Sequence, residues 1–171
     1  ASRIVNSAFH GSRLDVSHIA GAMKSLVAEA AKKEGVAPAE MARNGFFMSH
    51  ETYTPARGGS AAAEIDSLRA AFGDAADHIT IANTKGFTGH AMGAGIEDGV
   101  AVKALQYGVV PPLANLKEPD ASLGNLRLSR GELRDFRYAV RLAAGFGSQL
   151  ALTIWRAEAR GDARVLDVAA R

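Results

Sequence analysis

A lysine and two histidines carry the first chemical signal in this chain. Lys85 and His90 lie in the stretch IANTKGFTGH, Ile81 to His90, and His50 lies in SHETYTP. A glycine-punctuated turn between an apolar β-like run and a helical run needs neither a cation nor an imidazole. At a helix start the positive end of the dipole disfavours a second positive charge. His90 there tends to stay neutral, with a nitrogen to accept or a proton to donate. A neighbouring lysine discourages imidazolium further. The pair suits an anion, either a carboxylate or an enolate oxygen: Lys85 supplies charge and His90 a directional hydrogen bond. The same spacing also fits an exposed lysine and a helix-capping histidine.

His50 stands where an apolar run opens into a loop, a usual position for catalytic groups. It equally fits a histidine that caps a strand edge. Thr52 and Thr54 alternate, so in an extended segment both hydroxyls face one way, toward the amides of a ligand or into ordinary loop packing. His50-Glu51 begins like a zinc-protease motif, but Thr54 stands where the second histidine belongs. The phosphate-binding loop also fails, because Lys85 precedes its glycines. Gly93-Ala94-Gly95 begins a dinucleotide fingerprint, and Asp98 takes the place of its third glycine.

These residues need elements to position them. Asp15 is placed to cap a helix from Val16, with Ile19, Met23, Leu26 and Ala30 on one face and Gly35 and Pro38 at its end. GFFMSH, Gly45 to His50, reads as a buried strand. SAAAEIDSLRAAF reads as a helix capped at Ser60 and ended by Gly73. HITIANT reads as a strand, and residues 90–107 as a third helix. Gly89, Gly93, Gly95 and Gly99 would each cost roughly 1 kcal/mol against alanine in an exposed helix. Their presence predicts a helix largely buried, with its backbone close to another element. Pro111 and Pro112 force an extended segment. FRYAVRLAAGFGSQLALTIWRAE reads as two strands joined at Gly145-Phe146-Gly147. Alternating strands and helices, with closing strands, predict an α/β domain: a mixed sheet layered with helices.

Composition narrows the function classes. The chain has 171 residues, 47% hydrophobic and 22% charged, with a formal charge of +2. This is a globular composition with enough residues to bury a core. Lys and Arg are scattered, so no basic stripe points to nucleic acid and no cluster to lipid. No apolar run is long enough for a membrane span. The first residues lack a secretory layout, and a cytoplasmic setting is the default. No cysteine is present. That excludes disulfides, thiolate metal sites and a cysteine nucleophile within these residues.

Taken in order, the motifs resemble the C-terminal half of a β-ketoacyl synthase (ketosynthase) of the thiolase-like superfamily. The order is His-x-Thr-x-Thr-Pro, a Glu ahead of Phe72-Gly73, Asn-Thr-Lys-x-x-x-Gly-His, Pro-Pro-x-x-Asn-Leu, and Gly-Phe-Gly. It runs over residues 10–157. The resemblance implies a thiolase-like half-fold over 1–158, with 159–171 a charged tail or linker. It implies that His50 and His90 are the two active-site histidines and Lys85 the active-site lysine. Glu64 would be the acidic residue near that lysine. Thr52 and Thr54 would contact a phosphopantetheine arm, and Phe146 would gate the turn. No metal and no tightly bound cofactor are implied; the substrates are phosphopantetheine-linked thioesters.

The implied activity is decarboxylative Claisen condensation of acyl and malonyl-type thioesters in fatty-acid or polyketide synthesis. The implied partners are an acyl carrier protein, the N-terminal ketosynthase half that bears the cysteine, and further copies of the chain. Glu51 and Tyr53 replace glycines usual in the family, and Ser148-Gln149 replaces Gly-Thr after the turn. These departures also suit a non-catalytic thiolase-like scaffold or chain-length partner that binds acyl-carrier arms. An unrelated α/β protein holding phosphate at a helix start is a third reading, but it leaves the order of motifs unexplained. Without a cysteine the isolated chain is expected to be inactive in condensation.

Overall fold

A computed structural model describes residues 1–6, 9–10, 13–51, 60–89, 93–145 and 149–158. His90, Thr52, Thr54, Phe146 and the tail 159–171 lie outside the described residues. The strands are β1 (Ser2–Val5), β2 (Phe9–His10), β3 (Arg13–Leu14), β4 (Gly45–Met48), β5 (Thr80–Ala82), β6 (Val109–Val110), β7 (Arg127–Leu128), β8 (Glu132–Leu133), β9 (Tyr138–Ala144) and β10 (Leu150–Arg156). The helices are α1 (Val16–Glu34), α2 (Pro38–Arg43), α3 (Ser60–Phe72), α4 (Lys85–Thr88) and α5 (Gly93–Tyr107).

Local chemistry explains where these elements start and stop. Asp15 caps α1, its carboxylate accepting from the His18 N–H at 2.9 Å. Ile19, Met23, Leu26, Val27, Ala30 and Ala31 then form one buried face. Gly35 ends the helix with φ 67°, a left-handed conformation that glycine adopts without a Cβ penalty. Pro38 opens α2, where its missing N–H costs nothing. Ser60, read from the sequence as a cap, already lies in α3, and its hydroxyl donates to the Glu51 carboxylate. The helix gives way at Gly73 to a 3₁₀ segment, Gly73–His78.

Six strands form one mixed sheet in the order β1-β10-β9-β4-β5-β7. The pairs β1–β10 and β10–β9 are antiparallel; β9–β4, β4–β5 and β5–β7 are parallel. Successive side chains on a strand take opposite faces. On β4 and β9, Phe47, Val140 and Leu142 join α1 and α3 in the larger core. Phe46, Met48 and Ala139 join Ala101, Ala104 and Leu105 of α5 in a smaller one. The sheet therefore separates two helix layers; the mixed sheet layered with helices is what the sequence predicts.

The expectation of a largely buried third helix holds for one face. Glu97, Ala101, Ala104 and Leu105 of α5 are buried, whereas Ile96 and Val102 on the outer side are 37% and 45% exposed. Among the described residues, nothing outside helix α5 lies within 4 Å of a Cβ added at Gly95 or Gly99. Their compactness serves no contact among the described residues.

Candidate active site

Two parallel strands end at the same edge of the sheet. Beyond Met48, β4 continues into Ser49-His50, and beyond Ala82, β5 continues into Asn83-Thr84-Lys85. Ligand sites in α/β sheets favour such carboxyl ends. The Ser49 N–H donates to Ala82 O at 2.8 Å, which carries the pairing past the strands. Buried Asn83 then ties the ends together. Its amide donates to Ser49 O (3.2 Å) and Glu51 O (2.8 Å), and its Oδ1 accepts from the Lys85 N–H (2.7 Å).

Lys85 is the hub. It opens α4, the short helix that sequence reading takes for a turn, and is 4% exposed. Gly86 follows because an added Cβ would lie 2.8 Å from Ala114 O, too close for any side chain. The Lys85 Nζ donates to Glu97 Oε1 (2.5 Å) and His50 O (3.1 Å) and lies 3.3 Å from His50 Nδ1. An ammonium carries three hydrogens and no acceptor, so these three oxygen and nitrogen atoms match its capacity. The Nδ1 contact is a hydrogen bond only when Nδ1 accepts, which assigns the imidazole hydrogen to Nε2.

Glu64 anchors the other side of His50. Its carboxyl accepts from the Ser49 hydroxyl (2.6 Å) and from the His50 N–H (2.8 Å). Burial disfavours its ionised form and pushes its pKa up to about 8; the Ser49 hydrogen bond pulls the other way, and the nearby Glu51 adds to the rise. Desolvation outweighs the two donors here.

The acidic partner bonded to Lys85 is Glu97 of α5, not Glu64. Glu97 is fully buried, and its second oxygen pairs with the Arg141 guanidinium on β9. Arg141 is itself 2% exposed and donates from Nε to Asp98 Oδ1 at 3.0 Å. Three of the residues marked in the sequence thus meet: His50, Lys85 and Glu64. Sequence reading missed Asn83, Glu97 and Arg141. Arg141 was visible as the single charge in the strand YAVRLAA; Glu97 shares a helical face with Ala101, Ala104 and Leu105. Among the described residues no group of His, Asp and Glu is arranged to hold a metal ion. None of the described helices is long and apolar enough to cross a membrane.

Residues 3–117 match the model of the family described as β-ketoacyl synthase, C-terminal domain. The chain belongs to the β-ketoacyl synthase C-terminal domain family. Its curated relatives agree. It is 34% identical over 105 residues to the actinorhodin polyketide putative β-ketoacyl synthase 1 of Streptomyces coelicolor, covering 58% of this chain and 22% of that protein. It is 34% identical over 123 residues to the 3-oxoacyl-[acyl-carrier-protein] synthase 2 of Synechocystis, covering 71% of this chain and 28% of that protein. This β-ketoacyl synthase domain therefore spans about a quarter of the length of those relatives.

The domain's fold is thiolase-like. A type II polyketide ketosynthase, solved with its acyl-carrier protein and bound to the hexaketide, superposes with a TM-score of 0.73 at 23% identity, over 92% of this chain and 37% of that one. A β-ketoacyl synthase from Burkholderia phymatum gives 0.72 at 20% identity, over 92% and 36%. At these identities the likeness speaks for the fold.

Proposed function

We propose that this domain is the histidine-bearing half of a β-ketoacyl synthase that joins acyl and malonyl-type thioesters in fatty-acid or polyketide synthesis. The observation that carries the reading is the Lys85 ammonium held between His50 Nδ1 and Glu97 at the end of β4 and β5. In the reaction, the malonyl carboxylate leaves as CO₂ and its C–C electron pair becomes an enolate. The enolate carbon attacks the acyl thioester carbonyl, a C–C bond forms, and the C–S bond breaks with the pair leaving on sulfur. Negative charge develops first on the enolate oxygen and then on the thioester oxygen. Donors preorganised toward those oxygens stabilise the transition state more than the ground state.

In this reading Lys85 orients His50 so that Nε2–H is the hydrogen offered to a thioester oxygen. Glu64 and Asn83 hold the backbone that carries His50, and His90 is the second donor. Thr52 and Thr54 receive the phosphopantetheine arm and Phe146 gates it. An acyl carrier protein delivers the substrate; a structural neighbour was solved as a ketosynthase with its acyl-carrier protein. The chain has no cysteine, so the acylated sulfur belongs to an N-terminal half, and the 171 residues alone do not condense. That half also covers the outer face of α5, where Ile96 and Val102 are exposed; without it the chain self-associates.

The test is made in the complete synthase that contains this domain. His50→Ala and His90→Ala are each expected to lower extender decarboxylation and condensation on the order of a hundredfold, with acylation of the cysteine less affected. Wild-type condensation in either variant overturns the reading. A second reading, a non-catalytic partner, is favoured by Glu51, which carries a carboxyl close enough to Glu64 to disfavour its ionisation. An inert residue in place of the upstream cysteine decides for that partner.

A further inference from the structure

We propose that Arg141 is a positioning residue for His50, acting through Glu97 and Lys85. In YAVRLAA, Tyr138, Val140 and Leu142 belong to the α1–α3 core and Ala139 to the α5 core. Alternation places Arg141 on the α5 side. In register it stands opposite Met48 of β4, two residues before His50. Arg141 is therefore built into the central pair of the sheet, beside the strand end that carries the histidine.

A cation with this little exposure is retained only with partners, and Arg141 has two carboxylates beside the Leu142 carbonyl, which accepts from its Nη1. Asp98 Oδ1 accepts from its Nε, and its Nη2 forms an ion pair with Glu97 Oε2. Asp98 is half-exposed, so water and salt screen it. Glu97 is not, and it divides its two oxygens between Arg141 and Lys85. That division has a geometric effect. With Oε2 committed to Arg141 on the rigid strand, Oε1 is presented to Lys85 from a fixed place. Lys85 can then spend its remaining hydrogens on His50 O and Nδ1. Without Arg141, both oxygens of Glu97 are available to Lys85, and a carboxylate that binds the ammonium with both draws Nζ away from the imidazole.

The division also has an electrostatic effect. Lys85, Glu97 and Arg141 together carry one surplus positive charge, offset only at the half-exposed Asp98 on the far side of the guanidinium. With Glu97 alone, the charge on Lys85 would be cancelled. Arginine suits this task because it stays protonated and its planar fork fixes the direction of a carboxylate. Arg141 is not placed to touch substrate; its effect passes through two other side chains. This inference rests on the reading of His50 as a donor to developing negative charge.

The experiment reads the His50 tautomer by long-range ¹H–¹⁵N NMR of the ¹⁵N-histidine-labelled complete synthase, in wild type, Arg141→Gln and Arg141→Lys. In Arg141→Gln the ratio of Nε2–H to Nδ1–H tautomer is expected to fall about tenfold, the scale of one lost charge-assisted hydrogen bond. Arg141→Lys restores a cation for Oε2 and is expected to recover most of that ratio. A folded Arg141→Gln chain with the wild-type ratio overturns the proposal, as does an Arg141→Lys ratio as low as that of Lys85→Met. Should Arg141→Gln fail to fold, the Lys variant decides by the same comparison. In the complete synthase, Arg141→Gln is expected to lower kcat about tenfold with KM little changed. If the tautomer responds and kcat does not, the positioning stands and the reading of His50 in catalysis falls.

Discussion

The two faces of the central sheet are built from the same strands but held by different forces. On one face α1 and α3 press Met23, Leu26, Val27 and Leu68 onto Phe47, Val140 and Leu142, all buried and all apolar. On the other, α5 brings a smaller apolar core together with Lys85, Glu97 and Arg141, each at most 4% exposed. A buried apolar side chain contributes about 1.5–3 kcal/mol by leaving water. A buried ion cluster contributes little net stability but collapses when one member is removed. The first face supports the fold; the second holds a charge arrangement that the first keeps in place.

The comparison breaks most sharply at Glu97. Glu97→Ala strands two buried cations, and a loss of about 3–5 kcal/mol is expected in urea unfolding. Leu26→Ala on the opposite face costs about 2–5 kcal/mol by opening a cavity. The two variants separate in the His50 tautomer, which Glu97→Ala changes and Leu26→Ala leaves alone. Equal tautomers in both would show that the faces do not differ in kind.

Glu64 sharpens the comparison through pH. Its carboxyl ionises near 4.5 when unfolded and near 8 when buried. Between those values the folded state keeps a proton that the unfolded state has lost. Its contribution to stability is complete below about pH 4.5 and is lost as the pH rises through about 8. Glu64→Gln, which cannot ionise, is expected to flatten this slope in unfolding midpoints measured from pH 4.5 to 8. An unchanged slope would assign the dependence to other groups. The smallest effect belongs to the apolar face: Asp15→Ala removes the α1 cap and is expected to cost about 1 kcal/mol with no change at His50.

Much of the apolar face was legible in the residues. Asp15, the spacing of Ile19, Met23, Leu26 and Ala30, and Gly35 all act locally, so a short window contains the whole cause. The strand GFFM and the β9–β10 hairpin were legible for the same reason. Helix α4 was not, because KGFT carries the glycine of a turn while its helical bonds run back to Thr84 and Lys85. Gly95 and Gly99 signalled a close approach that is not seen among the described residues. In the site, Lys85 and His50 stood out because their chemistry is odd for a connection. Glu97 and Arg141 did not, since a single charge in a helix or strand shows its meaning only once the register of β9 on β4 and the facing side of α5 are known. Glu64, read as the acid near Lys85, bonds to Ser49 and His50 and acts on Lys85 through charge alone.

Asn83 has one further consequence, which concerns motion. Its side chain joins the carbonyls after β4 to the N–H that begins α4. Sliding of β5 along β4 would have to break both bonds to the Ser49 and Glu51 carbonyls at once, while the bond to the Lys85 N–H travels with β5. Lys85 and His50 therefore shift as a pair. Thermal fluctuation of the sheet is expected to move the two together more than it changes the distance between them.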